Sequence, residues 1–168
     1  MQCQIEAEWR MNDKFVILQE LPAIVEQCRA RGQRIVFTNG CFDLLHVGHV
    51  RSLQAARRLG EILIVGLNSD ISVSQLKGPQ RPIVSENQRG EVLAALTCVD
   101  YVVVFSEPDP LRVITAVQPD VLVKSTDWDP KEIIGREVVE ARGGSVLSVP
   151  EVTGISTTIL IERMRTAL

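Results

Sequence analysis

Thr38-Asn39-Gly40-Cys41-Phe42-Asp43-Leu44-Leu45-His46-Val47-Gly48-His49 follows directly on the apolar run Ile35-Val36-Phe37. A β-branched run entering a glycine-punctuated turn predicts a strand that feeds a helix. Gly40 lets the main chain approach a ligand closely, and Gly48 opens the helix, whose first amides lack an intrahelical acceptor. Such a helix start receives anionic oxygens, so the turn suits phosphates. His46 and His49, at i and i+3, leave the same region as two donors able to hold negative charge that develops on a phosphoryl group.

Plainer accounts of the histidines exist. A histidine beside an apolar segment is ordinarily a packing or surface residue, and a pair at this spacing is also half of a metal site. The chain has 2 histidines in all, and its 4 cysteines, Cys3, Cys28, Cys41 and Cys98, form no C-x-x-C pair. A zinc centre would need scattered partners, and Cys41 is read as lining the turn.

Working outward, Leu21, Ile24, Val25 and Cys28 recur at helical spacing with Gly32 beyond them, which predicts a helix from Glu20 to Arg31. The runs Glu61–Leu67, Tyr101–Phe105, Val121–Val123 and Val146–Val149 lack polar alternation and suit parallel strands covered on both faces. Ser85 with Gln88, and Asp129 with Glu132, have capping-box spacing; Pro130 and Pro110 fit helix starts, and Gly60 and Gly143 fit helix ends. The βαβα order predicts a single α/β domain, doubly wound around five parallel strands. In such sheets ligands bind beyond the strand carboxyl ends, where strand order reverses. Asn39 to Asp43, Asn68 to Asp70, Lys124 to Trp128 and Gly154 to Thr158 follow the first, second, fourth and fifth strands, so all lie on one rim. Ser156 is an N-cap candidate there, and its hydroxyl and that of Thr157, beside free amides, offer donors to phosphates; capping alone is the plainer and compatible account.

Bulk properties narrow the function. A chain of 168 residues, 45% hydrophobic with net charge −3, reads as one soluble globular domain with a real core. Aromatic content of 4% and the lack of a basic tract argue against a nucleic-acid partner. Met1 to Met11 carries Glu6, Glu8, Trp9 and Arg10 in place of a secretory signal, and the apolar runs are strand-sized, so a cytoplasmic enzyme with reduced thiols and no membrane partner is expected.

Gly40 through His49 resembles the G-x-F-D-x-x-H-x-G-H signature of the HxGH nucleotidyltransferases, a cytidylyltransferase-like superfamily, and Gly154-Ile155-Ser156-Thr157-Thr158 resembles its second signature. Asn68-Ser69-Asp70, Leu76-Lys77-Gly78, Arg81-Pro82, Gln88-Arg89 and Val121-Leu122-Val123-Lys124 support it, so the similarity runs from Ile35 to Met164. It is nearest to the D-glycero-β-D-manno-heptose 1-phosphate adenylyltransferases.

The resemblance implies a Rossmann-like fold, with residues 34–168 as the nucleotidyltransferase domain and 1–33 as an N-terminal segment and first helix of the same structural unit. It further implies transfer of AMP from ATP, with Mg2+, to a sugar 1-phosphate, giving ADP-heptose for lipopolysaccharide and pyrophosphate. His46, His49 and Lys77 would be catalytic. Asn39, Gly40, Cys41, Phe42, Asp43 and Gly48 would meet the nucleotide from the first rim segment; Lys124, Asp127 and Trp128, then Gly154, Ile155, Ser156 and Thr157, would meet it from the later ones. Asp127 would face the ribose hydroxyls and Trp128 the base, although a single loop tryptophan otherwise anchors packing. Asn68, Asp70, Arg81 and Arg89 would bind the sugar phosphate. Without the resemblance, Lys77 and Arg89 read as solvated charges. Asp43 is a candidate to orient a lysine or the metal, which phosphate oxygens and water otherwise hold.

Heptose adenylyltransferases are often fused to a sugar kinase; this chain has no room for one, so a separate kinase is expected, as is a homodimer. One departure stands out: Lys124-Ser125-Thr126-Asp127 replaces the usual Lys-Gly-Gly-Asp. Serine and β-branched threonine lack the freedom of glycine, which bears on the nucleoside pocket or on the sugar phosphate used. Two alternatives remain at this level. One is a glycerol-3-phosphate-type cytidylyltransferase using CTP, against which stands Glu151, where that family carries arginine three residues before its motif glycine. The other is a non-catalytic nucleotide-binding module.

Overall fold

Apolar runs without polar alternation become the middle of a sheet because both of their faces are covered. In the computed structural model, which describes residues 13–125, 133–150 and 152–167, six strands form one parallel sheet. They are β1 (Phe15–Val16), β2 (Ile35–Gly40), β3 (Ile62–Asn68), β4 (Tyr101–Phe105), β5 (Val121–Ser125) and β6 (Ser145–Val149), in the order β1-β4-β3-β2-β5-β6. The five expected strands are all present. The sixth, β1, adds an edge by pairing Phe15 with Val102 and Val16 with Val103.

The connecting helices are α1 (Leu21–Ala30), α2 (Val47–Arg57), α3 (Asp70–Lys77), α4 (Glu86–Ala94), α5 (Leu111–Val117), α6 (Arg136–Glu140) and α7 (Thr157–Thr166). Successive strand residues point to opposite faces, which divides the core in two. Phe37, Ile64 and Leu122 pack with Leu21 and Val25 of α1, Val113 and Ile114 of α5 and Val139 of α6. Val36, Leu63 and Val121, facing the other way, pack with Leu53 and Ala56 of α2 and Leu93 and Ala94 of α4. Residues 13–33 are part of this sheet and core, through β1 and α1.

Local signals are met in part. Ser85 is the N-cap of α4, but its hydroxyl donates to Gln88 Oε1 at 3.3 Å and caps no amide. Pro110 precedes α5, and Gly143, at φ 78, follows α6. The capping pair Asp129 and Glu132, with Pro130, lies outside the described residues; α6 begins after Gly135, at φ 88. At the edge, β6 is not covered on both faces, for Leu147 is 38% exposed. Strand order reverses between β2 and β5, so the switch point opens beyond Gly40 and Ser125.

Candidate functional site

The turn from β2 to α2 holds two residues in left-handed backbone conformation, Phe42 at φ 47 and Leu44 at φ 49. Such conformations cost energy in non-glycine residues and persist when surrounding contacts enforce them. Those contacts centre on Asp43, which lies between them and is 1% exposed. Its carboxylate accepts from Ile83 N at 2.8 Å, Val84 N at 3.0 Å and Arg81 Nε at 2.6 Å. Burial would raise this carboxyl; the two amides and the Arg81 guanidinium outweigh it and hold the group below its ordinary range. Arg89 closes the clamp from the other side. Buried itself, it donates from Nε to Val84 O at 2.9 Å, from Nη2 to Asp70 Oδ1 at 2.8 Å, and from Nη1 to the Cys41 carbonyl.

The histidines are set by the start of α2. His46 is its N-cap, and Nδ1 accepts from Gly48 N at 3.1 Å, while His49 Nδ1 accepts from His46 N at 3.4 Å. Two imidazoles thus make the reciprocal pattern of a capping box, normally built from a hydroxyl and a carboxamide or carboxylate. A neutral imidazole that accepts through Nδ1 carries its proton on Nε2, so the main chain selects the Nε2–H tautomer of both rings. The rings stack with centroids 3.8 Å apart, and Phe42 meets His49 edge-on at 5.4 Å. Burial, then the neighbouring His46, push the His49 pKa down to about 4 against the pull of Asp43, and burial lowers His46 as well. Both are neutral donors at pH 7. Gly48 is required by this pair: a Cβ there would lie 2.9 Å from the His46 ring.

A cleft of about 650 Å³ opens over the switch point. Of the residues anticipated there, His46, His49, Lys77, Asn39, Gly40, Cys41, Phe42, Asp43, Gly48, Lys124, Asn68, Arg81, Ile155, Ser156 and Thr157 line it. Lys77 is the last residue of α3 and is exposed; Gly78, at φ 97, ends the helix beside it. Lys124 donates to Asn39 Oδ1, joining the ends of β5 and β2. Ser156 caps α7, accepting from Ile159 N at 3.2 Å, so a second helix start faces the cleft. Thr157 Oγ1 donates to Asp43 O at 2.7 Å and ties the two motif turns together.

Other anticipated residues are placed elsewhere. Gly154, Asp70 and Arg89 do not line the cleft; Gly154, at φ 79, turns the chain into α7, and Arg89 and Asp70 bond each other. Asp127, Trp128, Thr126 and Glu151 lie outside the described residues. For Asp43 as a metal ligand the geometry is adverse, since both oxygens are engaged by N–H donors. Among the described residues no three His, Cys, Asp or Glu side chains gather as a metal cluster. Thr158, at the end of the rim segment read from the sequence, also lines the cleft, and so do Ser52, Pro108, Asp109, Pro110, Ile133 and Ile134, which carry no motif. The available signal was position, because Pro108 to Pro110 follow β4 at its carboxyl end.

A doubly wound sheet with two helix starts and three cationic side chains, Lys77, Arg81 and Lys124, bordering a cleft at its switch point defines the class: an α/β domain with its candidate site at the strand carboxyl ends. Residues 37–163 match the model of the cytidylyltransferase-like family, and the chain belongs to that family. Among curated proteins it is 57% identical over 153 residues to the bifunctional protein HldE of Geotalea uraniireducens, covering 91% of this chain and 31% of that one. HldE of Halorhodospira halophila is 58% identical over 145 residues, covering 86% of this chain and 30% of the relative. The chain thus spans about a third of the length of the curated relatives it matches. Among solved structures, the lipopolysaccharide core biosynthesis protein of Thermoplasma volcanium aligns with TM-score 0.59 and 28% identity over 72% of this chain and 98% of that one. Pantoate-beta-alanine ligase of Francisella tularensis, 15% identical with TM-score 0.59 over 92% and 78% of the two chains, shares the fold. Among the described residues no helix is long and apolar enough to cross a membrane.

Proposed function

We propose that this domain is a nucleotidyltransferase that transfers AMP from ATP to D-glycero-β-D-manno-heptose 1-phosphate, giving ADP-heptose and pyrophosphate. The observation that carries the reading is the imidazole pair at the start of α2, two Nε2–H donors fixed by the main chain beside a second capped helix start. Its similarity to HldE, at 57% identity, supports the heptose substrate.

In this reaction an oxygen of the sugar phosphate attacks the α-phosphorus of ATP, an O–P bond forms, and the bond to the β-phosphate oxygen breaks with its electron pair leaving on pyrophosphate. The nucleophile is already an anion, so no general base is needed and positioning dominates. His46 and His49 donate to the α-phosphate oxygens as charge builds there, and the amides of α2 and α7 with the Ser156 and Thr157 region receive the remaining phosphates. Lys124 and Asn39 border the nucleotide, and Arg81 and Lys77 the sugar phosphate. Asp43, Asp70 and Arg89 act as positioning residues that hold the turn. Both Asp43 oxygens accept N–H donors and are committed to the turn, so Mg2+ bound with ATP would be held mainly by phosphate oxygens and water and would neutralise charge on the phosphates. A cytoplasmic setting and a homodimer belong to the same proposal.

Pyrophosphate release, followed with ATP or CTP, Mg2+ and a panel of sugar phosphates including glycerol 3-phosphate, tests the assignment. Release with ATP and heptose 1-phosphate is expected, and preferential use of CTP or of glycerol 3-phosphate would overturn it. Lys77→Ala is expected to weaken apparent affinity for a phosphorylated substrate about tenfold and to lower turnover, because an exposed helix-end lysine follows the phosphates as a point charge. Glu151→Ala is expected to change both parameters less than about twofold. Steady-state kinetics on the two variants compares them, and equal effects would remove Lys77 from the site.

A further inference from the structure

The cleft has two unlike walls that belong to opposite faces of the sheet. The starts of α2 and α7, with the histidines, Ser156 and Thr157, form one wall; α2 packs its Leu53 and Ala56 into the core with Val36 and Val121. Pro108, Asp109, Pro110, Ile133 and Ile134 form the other wall. They adjoin α5, whose Val113 and Ile114 pack with Ile133 and Phe37 in the opposite core. Asn68, at the end of β3, lies in the floor between, where its Nδ2 donates to Ser72 Oγ at 2.9 Å.

Asp109 sets the chemistry of the second wall. Its Oδ1 accepts from Leu111 N at 2.9 Å, and among the described residues nothing hydrogen-bonds to Oδ2. Of the cationic groups bordering the cleft, Lys77 and Arg81 follow β3 and Lys124 lies near the end of β5, whereas this carboxylate follows β4 and has no ion-pair partner among the described residues. A carboxylate accepts hydrogen bonds and repels phosphate, so this wall is unsuited to the triphosphate and suited to hydroxyl donors. The exposed ring of Pro108 beside it offers apolar contact of the kind that C–H faces of a sugar require.

On the reading of the domain as a sugar-phosphate nucleotidyltransferase, we propose that Asp109 is a specificity-determining residue of the acceptor subsite, accepting hydrogen bonds from hydroxyls of the sugar while Arg81 and Lys77 hold its phosphate. The acceptor class is a neutral polyhydroxylated body with one phosphate. Acceptors bearing a second anionic group on that body are disfavoured by the same carboxylate.

Asp109→Asn keeps an oxygen for Leu111 N and replaces the free oxygen by an amide. With the full chain, ATP, Mg2+ and heptose 1-phosphate, this variant is expected to raise the KM of the sugar phosphate about tenfold, as for loss of a hydrogen bond to a charged group, and to leave the KM of ATP within about twofold. It is also expected to narrow the ratio of kcat/KM between heptose 1-phosphate and a uronic acid 1-phosphate, whose added carboxylate the wild-type wall repels. Asp109→Ser, which retains a short acceptor near Leu111 N, repeats the comparison should the first variant unfold. A rise in the KM of ATP with the acceptor KM unchanged would place the nucleoside on this wall and overturn the proposal, as would unchanged values for both substrates. Absence of turnover by the wild-type protein with every sugar phosphate would remove the functional reading and this proposal together, whereas an active wild type with an unaffected variant removes the proposal alone.

Discussion

His46→Ala and His49→Ala are each expected to cut kcat about 10²- to 10³-fold, the loss typical of one preorganised donor to a developing oxyanion. The size follows from preorganisation: each Nδ1 accepts a main-chain amide of the α2 start, so each Nε2–H is aimed without reorganisation at the moment of reaction. Because His46 is also the helix N-cap, its alanine variant should lose about 1 kcal/mol of stability as well. His46→Asn separates the two roles. Asparagine can cap the helix but presents no Nε2 donor, so the variant should unfold near the wild-type temperature and yet react as slowly as His46→Ala. Pyrophosphate release together with thermal unfolding reads both quantities, and near-normal turnover in a folded alanine variant would take that histidine out of the mechanism.

Asp43→Ala is expected to destabilise the domain by about 3 to 5 kcal/mol, the cost of removing one partner from a buried ion pair. The carboxylate is buried, and its removal leaves the amides of Ile83 and Val84 and the Arg81 guanidinium without their acceptor. It also frees the turn whose left-handed Phe42 and Leu44 the clamp enforces. The measurement is denaturant unfolding, in which the midpoint should shift strongly. A loss below about 1 kcal/mol would mean that the turn holds its shape by other contacts.

Much of this architecture is legible in the residues, and the gaps have physical causes. β2, β3, β4 and β5 announce themselves because a strand buried on both faces needs an unbroken apolar run. β1 does not, since two residues carry no period, and its place is set by pairing with β4 far along the chain. The start of α2 is legible in position but not in chemistry: histidine is outside the usual capping residues, so its role appears only once Nδ1 meets the Gly48 amide. Arg89 illustrates the opposite difficulty. A helical arginine reads as a solvated charge or a ligand contact, and its acceptors, the Cys41 and Val84 carbonyls and Asp70, come from three separate segments that converge only on folding. Asp109 is not marked in the sequence because the third of the expected strands is followed by no motif, although every strand of a parallel sheet delivers its following loop to the same rim.

The helix α7 supplies Ser156 and Thr157 to the cleft, yet none of its residues is buried. Its ties to the rest of the domain include the Thr157 bond to the Asp43 carbonyl and a bond from Arg165 to Gln80. An element whose apolar residues Ile159, Leu160 and Ile161 are only half-buried is expected at the low end of local stability, opening without global unfolding. On the proposed function, nucleotide affinity would be the product of an intrinsic term and the docked fraction of this helix, each tenfold fall in that fraction weakening binding tenfold with no contact to ATP altered. Amide exchange along residues 157–166 should be fast in the free protein and slow when the triphosphate is bound, making the last helix of the chain a latch that the substrate itself fastens.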